Sequence, residues 1–238
     1  IGDGIAAAVE QRMKSERLKT ELITNVSHDI KTPLTSIVNY VDLLQKPHTP
    51  EQESEYLEVL DRQSKRLKKL TEDLVEASKA STGNMNVNIV RTNTREIIEQ
   101  SLAEYGRRME QGNLTVIVNI PDEPPHAMAD GRLLWRVLDN LFNNVVKYAL
   151  PGTRVYITSE LDGGEAVISV KNISRDPLNI SAEELMERFV RGDASRHTEG
   201  SGLGLNIAQS LVNLMHGKFS LSVDGDLFKA EIRLPKAK

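Results

Sequence analysis

The chain has 238 residues, 39% hydrophobic and 27% charged, a balance that suits one or two globular domains with cores of their own. Its 30 basic and 34 acidic residues leave a net charge of −4, which gives no electrostatic case for binding nucleic acid. There is no cysteine, so a disulfide framework is excluded and a reducing compartment is compatible; no apolar run approaches the roughly 20 residues of a membrane span.

From about Ile5 to Leu44 the apolar residues Val9, Leu18, Leu22, Val26, Ile30, Ile37, Val41 and Leu44 recur at helical spacing, with no strand alternation. Lys46-Pro47-His48-Thr49-Pro50 breaks this helix. Thr49 can cap a second one, with Glu51 and Glu53 in its acidic first turn. The second helix carries Leu57, Leu60, Leu67, Leu70 and Leu74, close to a heptad seam. The two form an antiparallel hairpin. A lone hairpin cannot bury a stripe on both helices, so pairing with a second copy into a dimeric four-helix bundle is the expected solution.

The texture changes at Ser81-Thr82-Gly83-Asn84, which reads as a linker and sets the expected domains at 1–82 and 83–238. A helix from about Thr94 to Gln111 is stopped by Gly112, and Leu114, Val116, Val118 and Ile120 alternate as a strand does. A helix from Gly131 to about Leu150 follows, then strands near 154–161 and 165–171. A helix from about Leu205 to His216 ends at Gly217, before strands near 219–223 and 228–234. Antiparallel strands with helices on one face predict a two-layer α+β sandwich.

Three motifs carry chemistry. His28 lies on the first helix in Ser27-His28-Asp29-Ile30-Lys31-Thr32-Pro33-Leu34. An imidazole offers a nucleophilic nitrogen near neutral pH, and a neighbouring carboxylate such as Asp29 can hold the ring and stabilise its developing positive charge. Proline inside a helix costs about 3 kcal/mol, so Pro33 one turn beyond the histidine points to a deliberate bend. His48, His126, His197 and His216 have no such setting and read as surface or loop residues. In Asp139-Asn140-Leu141-Phe142-Asn143-Asn144-Val145-Val146-Lys147-Tyr148, residues Asn140, Asn144, Lys147 and Tyr148 line one side of a helix whose apolar side is Leu134, Leu138, Leu141 and Val145. Asparagine carbonyls are suitable magnesium ligands, and lysine is a point charge for phosphate oxygens. Gly200-Ser201-Gly202-Leu203-Gly204-Leu205 runs into a helix, where small residues and a helix N-terminus favour phosphate.

In this order the three motifs resemble the phosphoacceptor box, the asparagine box and the second glycine box of bacterial sensor histidine kinases. The second half is similar to the ATP-binding fold shared with type II topoisomerases, Hsp90 chaperones and MutL. The resemblance implies that His28 is phosphorylated from Mg-ATP, that Asp29 assists it, and that Thr32 positions water for dephosphorylating the partner. It implies Asn144 as the Mg2+ ligand supported by Asn140, Lys147 on phosphate, and Tyr148 near the base or ribose. Glu187-Arg188-Phe189-Val190-Arg191-Gly192-Asp193 resembles the phenylalanine box, with Arg191 reaching the γ-phosphate, and Asp193–Glu199 would be a lid. The ATP loop would contain Gly200, Gly202, Leu203 and Gly204.

One box departs from the family. Its Asp-x-Gly-x-Gly is Asn172-Ile173-Ser174-Arg175-Asp176 here, so Asn172 stands where the adenine-reading aspartate would be and both glycines are absent. The resemblance further implies a homodimer, transfer to an aspartate of a response-regulator receiver domain, and a cytoplasmic fragment tied to the membrane through a missing N-terminal part. Two rival readings stay open: a dimeric scaffold or phosphatase-dominant module with weak ATP binding, and an ATPase of the topoisomerase or chaperone type.

Overall fold

The computed structural model describes residues 27, 29–178, 185 and 203–237. The chain divides into two compact units, one through Val75 that holds the hairpin, the other (Glu76–Met186 with Gly204–Lys238) holding a sheet and its helices.

In the hairpin, helix α1 is described over residues 29–44 and runs on through Pro33. Helix α2 spans Pro50–Ser81 and opens on the expected device. Thr49 Oγ1 accepts from the Gln52 amide at 3.3 Å, and Gln52 Oε1 accepts from the Thr49 amide at 3.0 Å. This reciprocal capping box satisfies donors that the first turn leaves orphaned, and Pro50 sits where its missing N–H costs nothing. Near the loop, the Tyr40 and Tyr56 rings meet edge-to-face at 5.5 Å between centroids. Leu34, Val38, Val41, Leu43 and Leu57 remain exposed, as a stripe too wide for two helices requires.

The second unit is a sheet covered on one face by helices. Its elements are β1 (Val90–Asn93), α3 (Thr94–Gln111), β2 (Thr115–Asn119), β3 (His126–Ala129), α4 (Gly131–Tyr148), β4 (Arg154–Asp162), β5 (Glu165–Ile173), α5 (Gly204–Leu214), β6 (Lys218–Asp224) and β7 (Leu227–Pro235). The five-stranded sheet has the order β2-β4-β5-β7-β6. Alternation puts Val155 and Ile157 of β4, Ile168 and Val170 of β5, and Ala230, Ile232 and Leu234 of β7 in the core. The helices supply Ile98 and Met109, then Leu134, Leu138, Leu141 and Phe142, then Ile207, Ala208, Leu211 and Val212. Three residues past the end of the last helix, position 217 has to be glycine for a steric reason. A Cβ on Gly217 would lie 2.5 Å from the Arg233 carbonyl oxygen and 2.9 Å from Val212 Cγ1.

Three expectations need correction. The sheet is not wholly antiparallel, because β2 pairs in parallel with β4, from Thr115 opposite Arg154 to Asn119 opposite Thr158. A parallel pair needs a long crossover, and the segment carrying α4 provides it. Strand β2 is also an edge, which leaves Val118 44% exposed despite its place in the apolar alternation. Strands β1 and β3 form a separate two-stranded sheet, so His126 is a strand residue rather than a loop one. Neither four-residue strand alternates apolar and polar side chains. Their pairing is reinforced by buried Thr92, whose hydroxyl donates to the Ala129 carbonyl at 2.9 Å.

The start of α4 is fixed by Asp130, buried to 2% exposure. Its Oδ1 accepts from the amides of Arg132 (3.0 Å) and Leu133 (3.4 Å), and its Oδ2 from the Asn88 amide and the Arg132 side chain, both at 2.9 Å. Burial alone would raise this carboxyl, but the bonds to Asn88, Arg132 and Leu133 outweigh it and hold the group below the ordinary 3.8. A carboxyl depressed in the folded state stabilises fully above its unfolded value, and the contribution is lost as pH falls through the lower folded one. Asp130→Ala should therefore destabilise the unit by about 1–2 kcal/mol at neutral pH. The gap to wild type in chemical denaturation should shrink as pH falls below about 4.

Candidate nucleotide site

Helix α4 turns its apolar side inward as expected: Leu134, Leu138, Leu141 and Val145 are all buried. The polar side is not a solvated face either. Asn140 is only 6% exposed, and its Nδ2 donates to the Arg136 carbonyl at 3.0 Å. Asn144 is half-buried, and its Nδ2 is buried with no hydrogen-bond partner. A buried polar atom left unpaired is costly unless something else completes it. Lys147 and Tyr148 follow on the last turn, both half-buried.

The first turn of α5 lies against this side of α4. A Cβ built on Gly204 would meet Asn140 Oδ1 at 3.1 Å and Asn140 Cγ at 3.7 Å. Gly204 therefore lets the backbone of α5 settle onto the asparagine, and Leu203 just before it is buried. Asn206, one residue beyond Leu205, also has a buried Nδ2 without a partner. Sequence reasoning passed over Asn206; an asparagine in an apolar helix directly after a glycine box was the available signal.

The segment around Asn172 joins the C-terminal end of α4. The Leu150 amide donates to the Ile173 carbonyl, and the Arg175 amide to the Tyr148 carbonyl, both at 2.8 Å. Ala149 and Ser174 form an isolated antiparallel bridge. Asn172 is buried, opposite Phe228 on β7, and alternation puts it on the helix-covered face shared with Ile168 and Val170. Its Nδ2 donates to the Ile173 carbonyl at 3.2 Å. Strand β5 continues to Ile173, and the Ser174 amide donates to the Asp226 carbonyl at 2.7 Å. At Ser174, where the resemblance places the first glycine of that box, this chain has paired backbone.

The structure thus gathers Asn140, Asn144, Lys147, Tyr148, Asn172 and Gly204 around one helix. Asp29, half-buried, and Thr32, exposed, are on α1 in the other unit. His28, Arg191, Gly200 and Gly202 lie outside the described residues. Among the described residues, no cluster of three or more His, Cys, Asp or Glu could hold a metal ion, and no helix is long and apolar enough to cross a membrane.

Comparison with known proteins identifies the two halves of the chain. Residues 18–83 match the His Kinase A (phospho-acceptor) domain, and residues 129–238 match the histidine kinase-, DNA gyrase B-, and HSP90-like ATPase family. The chain is 28% identical over 215 residues to the sensor histidine kinase YcbM of Bacillus subtilis, covering 89% of this chain and 69% of that protein. It is 32% identical over 243 residues to the histidine protein kinase SaeS of Staphylococcus aureus, covering 94% and 66%. Against the sensor protein GacS of Pseudomonas syringae it spans only 27% of the relative's length. Among solved structures, it resembles the histidine kinase ThkA in complex with response regulator protein TrrA, with a TM-score of 0.74 and 22% identity over 97% of this chain and 66% of that one. The Acinetobacter baumannii histidine kinase AdeS gives 0.69 and 19%, over 89% and 98%. At those identities the structures show the fold alone. The chain belongs to the sensor histidine kinases and comprises their phosphoacceptor and ATPase domains.

The contact at Gly204 gives a direct test. Gly204→Ala places a methyl group against Asn140, and overpacking of this kind costs about 1–3 kcal/mol. Because Asn140 must give way, titration with Mg-ADP should show affinity falling by about tenfold, a change of about 1.4 kcal/mol, while circular dichroism at 25 °C stays that of the folded protein.

Proposed function

We propose that this histidine kinase core transfers the γ-phosphoryl group of ATP to His28 and then to an aspartate of a response-regulator receiver domain. The observation that carries the reading is the set of asparagines on α4, one buried under Gly204 and one with an unpartnered amide, in the same chain as a phosphoacceptor domain. In the transfer, a ring nitrogen of His28 attacks the γ-phosphorus and the bond to the ADP oxygen breaks. Asp29 steadies the imidazole and the positive charge it develops. Little covalent work falls to the other residues, so positioning and electrostatics dominate.

The donor set fits a magnesium nucleotide. Asn144 would offer its amide oxygen to Mg2+, Asn140 would support it, and Lys147 and Arg191 would meet phosphate oxygens. Bound magnesium would neutralise triphosphate charge. Tyr148 and Asn172 would border the base, and Gly200, Gly202, Leu203 and Gly204 would line the phosphates with backbone amides. We assign Thr32 to positioning water in dephosphorylation of the regulator, and the exposed leucines and valines of the hairpin to a homodimer. Attachment to the membrane would come through parts of the protein outside this chain.

Incubation with γ-labelled ATP, followed by acid and base treatment, tests the reading: phosphohistidine is acid-labile and survives base. Label should appear on His28, vanish in His28→Gln with Mg-ADP affinity unchanged, and fall at least about a hundredfold in rate in Asn144→Asp. A rival reading, a phosphatase-dominant module with weak ATP binding, draws on the paired backbone at Ser174. Absent labelling of a protein that still dephosphorylates its regulator would favour it.

Thr32→Ala separates the two activities. Autophosphorylation should stay within about twofold of wild type and regulator dephosphorylation should slow by about a hundredfold or more, the lower end of what one positioned group supplies. Equal loss of both rates would remove Thr32 from the second activity.

A further inference from the structure

Helix α4 carries a polar network that the nucleotide reading leaves unused. The Arg136 guanidinium grips Glu76, in the last turns of α2, through Nε at 2.9 Å and Nη2 at 2.8 Å. Its Nη1 donates to Asp139 one turn along α4. The other Asp139 oxygen accepts from the Tyr105 hydroxyl of α3 at 2.5 Å. Burial, then the Asp139 hydrogen bond and charge, push the Tyr105 hydroxyl above its ordinary range. The cluster is shielded, with side-chain exposures of 18% for Arg136, 20% for Glu76 and 11% for Asp139.

Two physical points separate this network from a surface ion pair. A desolvated pair adds little stability over well-packed apolar side chains, so stability alone does not explain it. What a planar guanidinium held on two sides does supply is geometry, because the fork fixes angle as well as distance. The network sits where geometry matters. Asn140 follows Asp139 directly, donates to the Arg136 carbonyl at 3.0 Å, and bears on Gly204. Asn144 is one further turn along the same helix. Locking positions 136 and 139 from α2 and α3 therefore sets the rotation at which α4 presents both asparagines.

We propose that Glu76 and Arg136 are positioning residues for nucleotide binding, acting through α4 on Asn140 and Asn144. The proposal rests on the reading of α4 as the nucleotide helix. It makes the last turns of α2, which belong to the same compact unit as α4, a part of the ATP site without touching the nucleotide.

The test uses the whole 238-residue chain and Mg-ADP. Glu76→Gln, Arg136→Met and the double variant are titrated by calorimetry, with emission from Trp135, the single tryptophan and a neighbour of Arg136, recorded without nucleotide. Each single variant should weaken Mg-ADP at least fivefold and shift Trp135 emission. The double variant should be no weaker than the worse single one, because partners in one network are not additive. Arg136→Lys, which keeps the charge but not the fork, should recover part of the loss. A purely structural role would lower the melting temperature and leave the affinity of the folded protein unchanged. Folded Glu76→Gln with affinity within twofold of wild type, or fully additive losses, overturns the proposal. If Arg136→Met does not fold, Glu76→Gln decides alone. Failure of the wild type to bind Mg-ADP overturns the site reading and this proposal with it, whereas unchanged affinity in Glu76→Gln overturns only the proposal.

Discussion

The second unit depends on one constraint: α4 has to be core and, on the proposed reading, site at once. Its apolar side supplies Leu134, Leu138, Leu141 and Phe142 to the interior, so its axis cannot shift without opening cavities. Its other side comes close to α5, where residue 204 has no side chain to press on Asn140. Fixing the axis by packing and the rotation by polar contacts are separate tasks. Leucines do the first well and the second poorly, since a hydrophobic contact has no preferred angle. Directional bonds at the start of the helix, from Asp130, and along its first half, from the Arg136 cluster, do the second.

The two ends of α4 are held differently. At the N-terminus a buried carboxylate takes up orphan amides and ties in the segment at Asn88. At the C-terminus, main-chain bonds from Leu150 and to Tyr148 connect the helix to the strand that carries Asn172. This second attachment bears on the altered glycine box. On the proposed assignment of Asn172 to the base, a flexible glycine turn would leave that side of the pocket to be ordered by the ligand. The bridge at Ser174 and its bond to Asp226 order it in advance, so less conformational entropy is lost on binding and less adjustment is available.

Much of this was readable from the residues. Helices α3 and α4 begin at Thr94 and near Gly131 as predicted, because caps and glycine stops are local signals. The asparagine spacing on α4 was legible for the same reason: side-chain direction on a helix follows from sequence separation alone. The parallel pairing of β2 with β4 was not, since Leu114, Val116 and Val118 alternate identically in either orientation. Strands β1 and β3 escaped because their pairing joins residues almost forty positions apart and little in Val90–Asn93 or His126–Ala129 marks a strand. The Glu76–Arg136 contact was hidden likewise, as 60 residues separate its partners.

The strand order has a consequence for how the domain is made. Strand β5 lies at the middle of the sheet, with β4 on one side and β7, Leu227–Pro235, on the other. The first neighbour is adjacent in sequence and can form a hairpin at once. The second is synthesised more than fifty residues later, so during translation the apolar strand Ala166–Val170 has one uncovered edge, open to pairing with other chains. Closure of the sheet waits for the far strand. Loss of residues from β7 should therefore act on yield and aggregation before it acts on catalysis, although no residue of that strand is among those assigned to ATP.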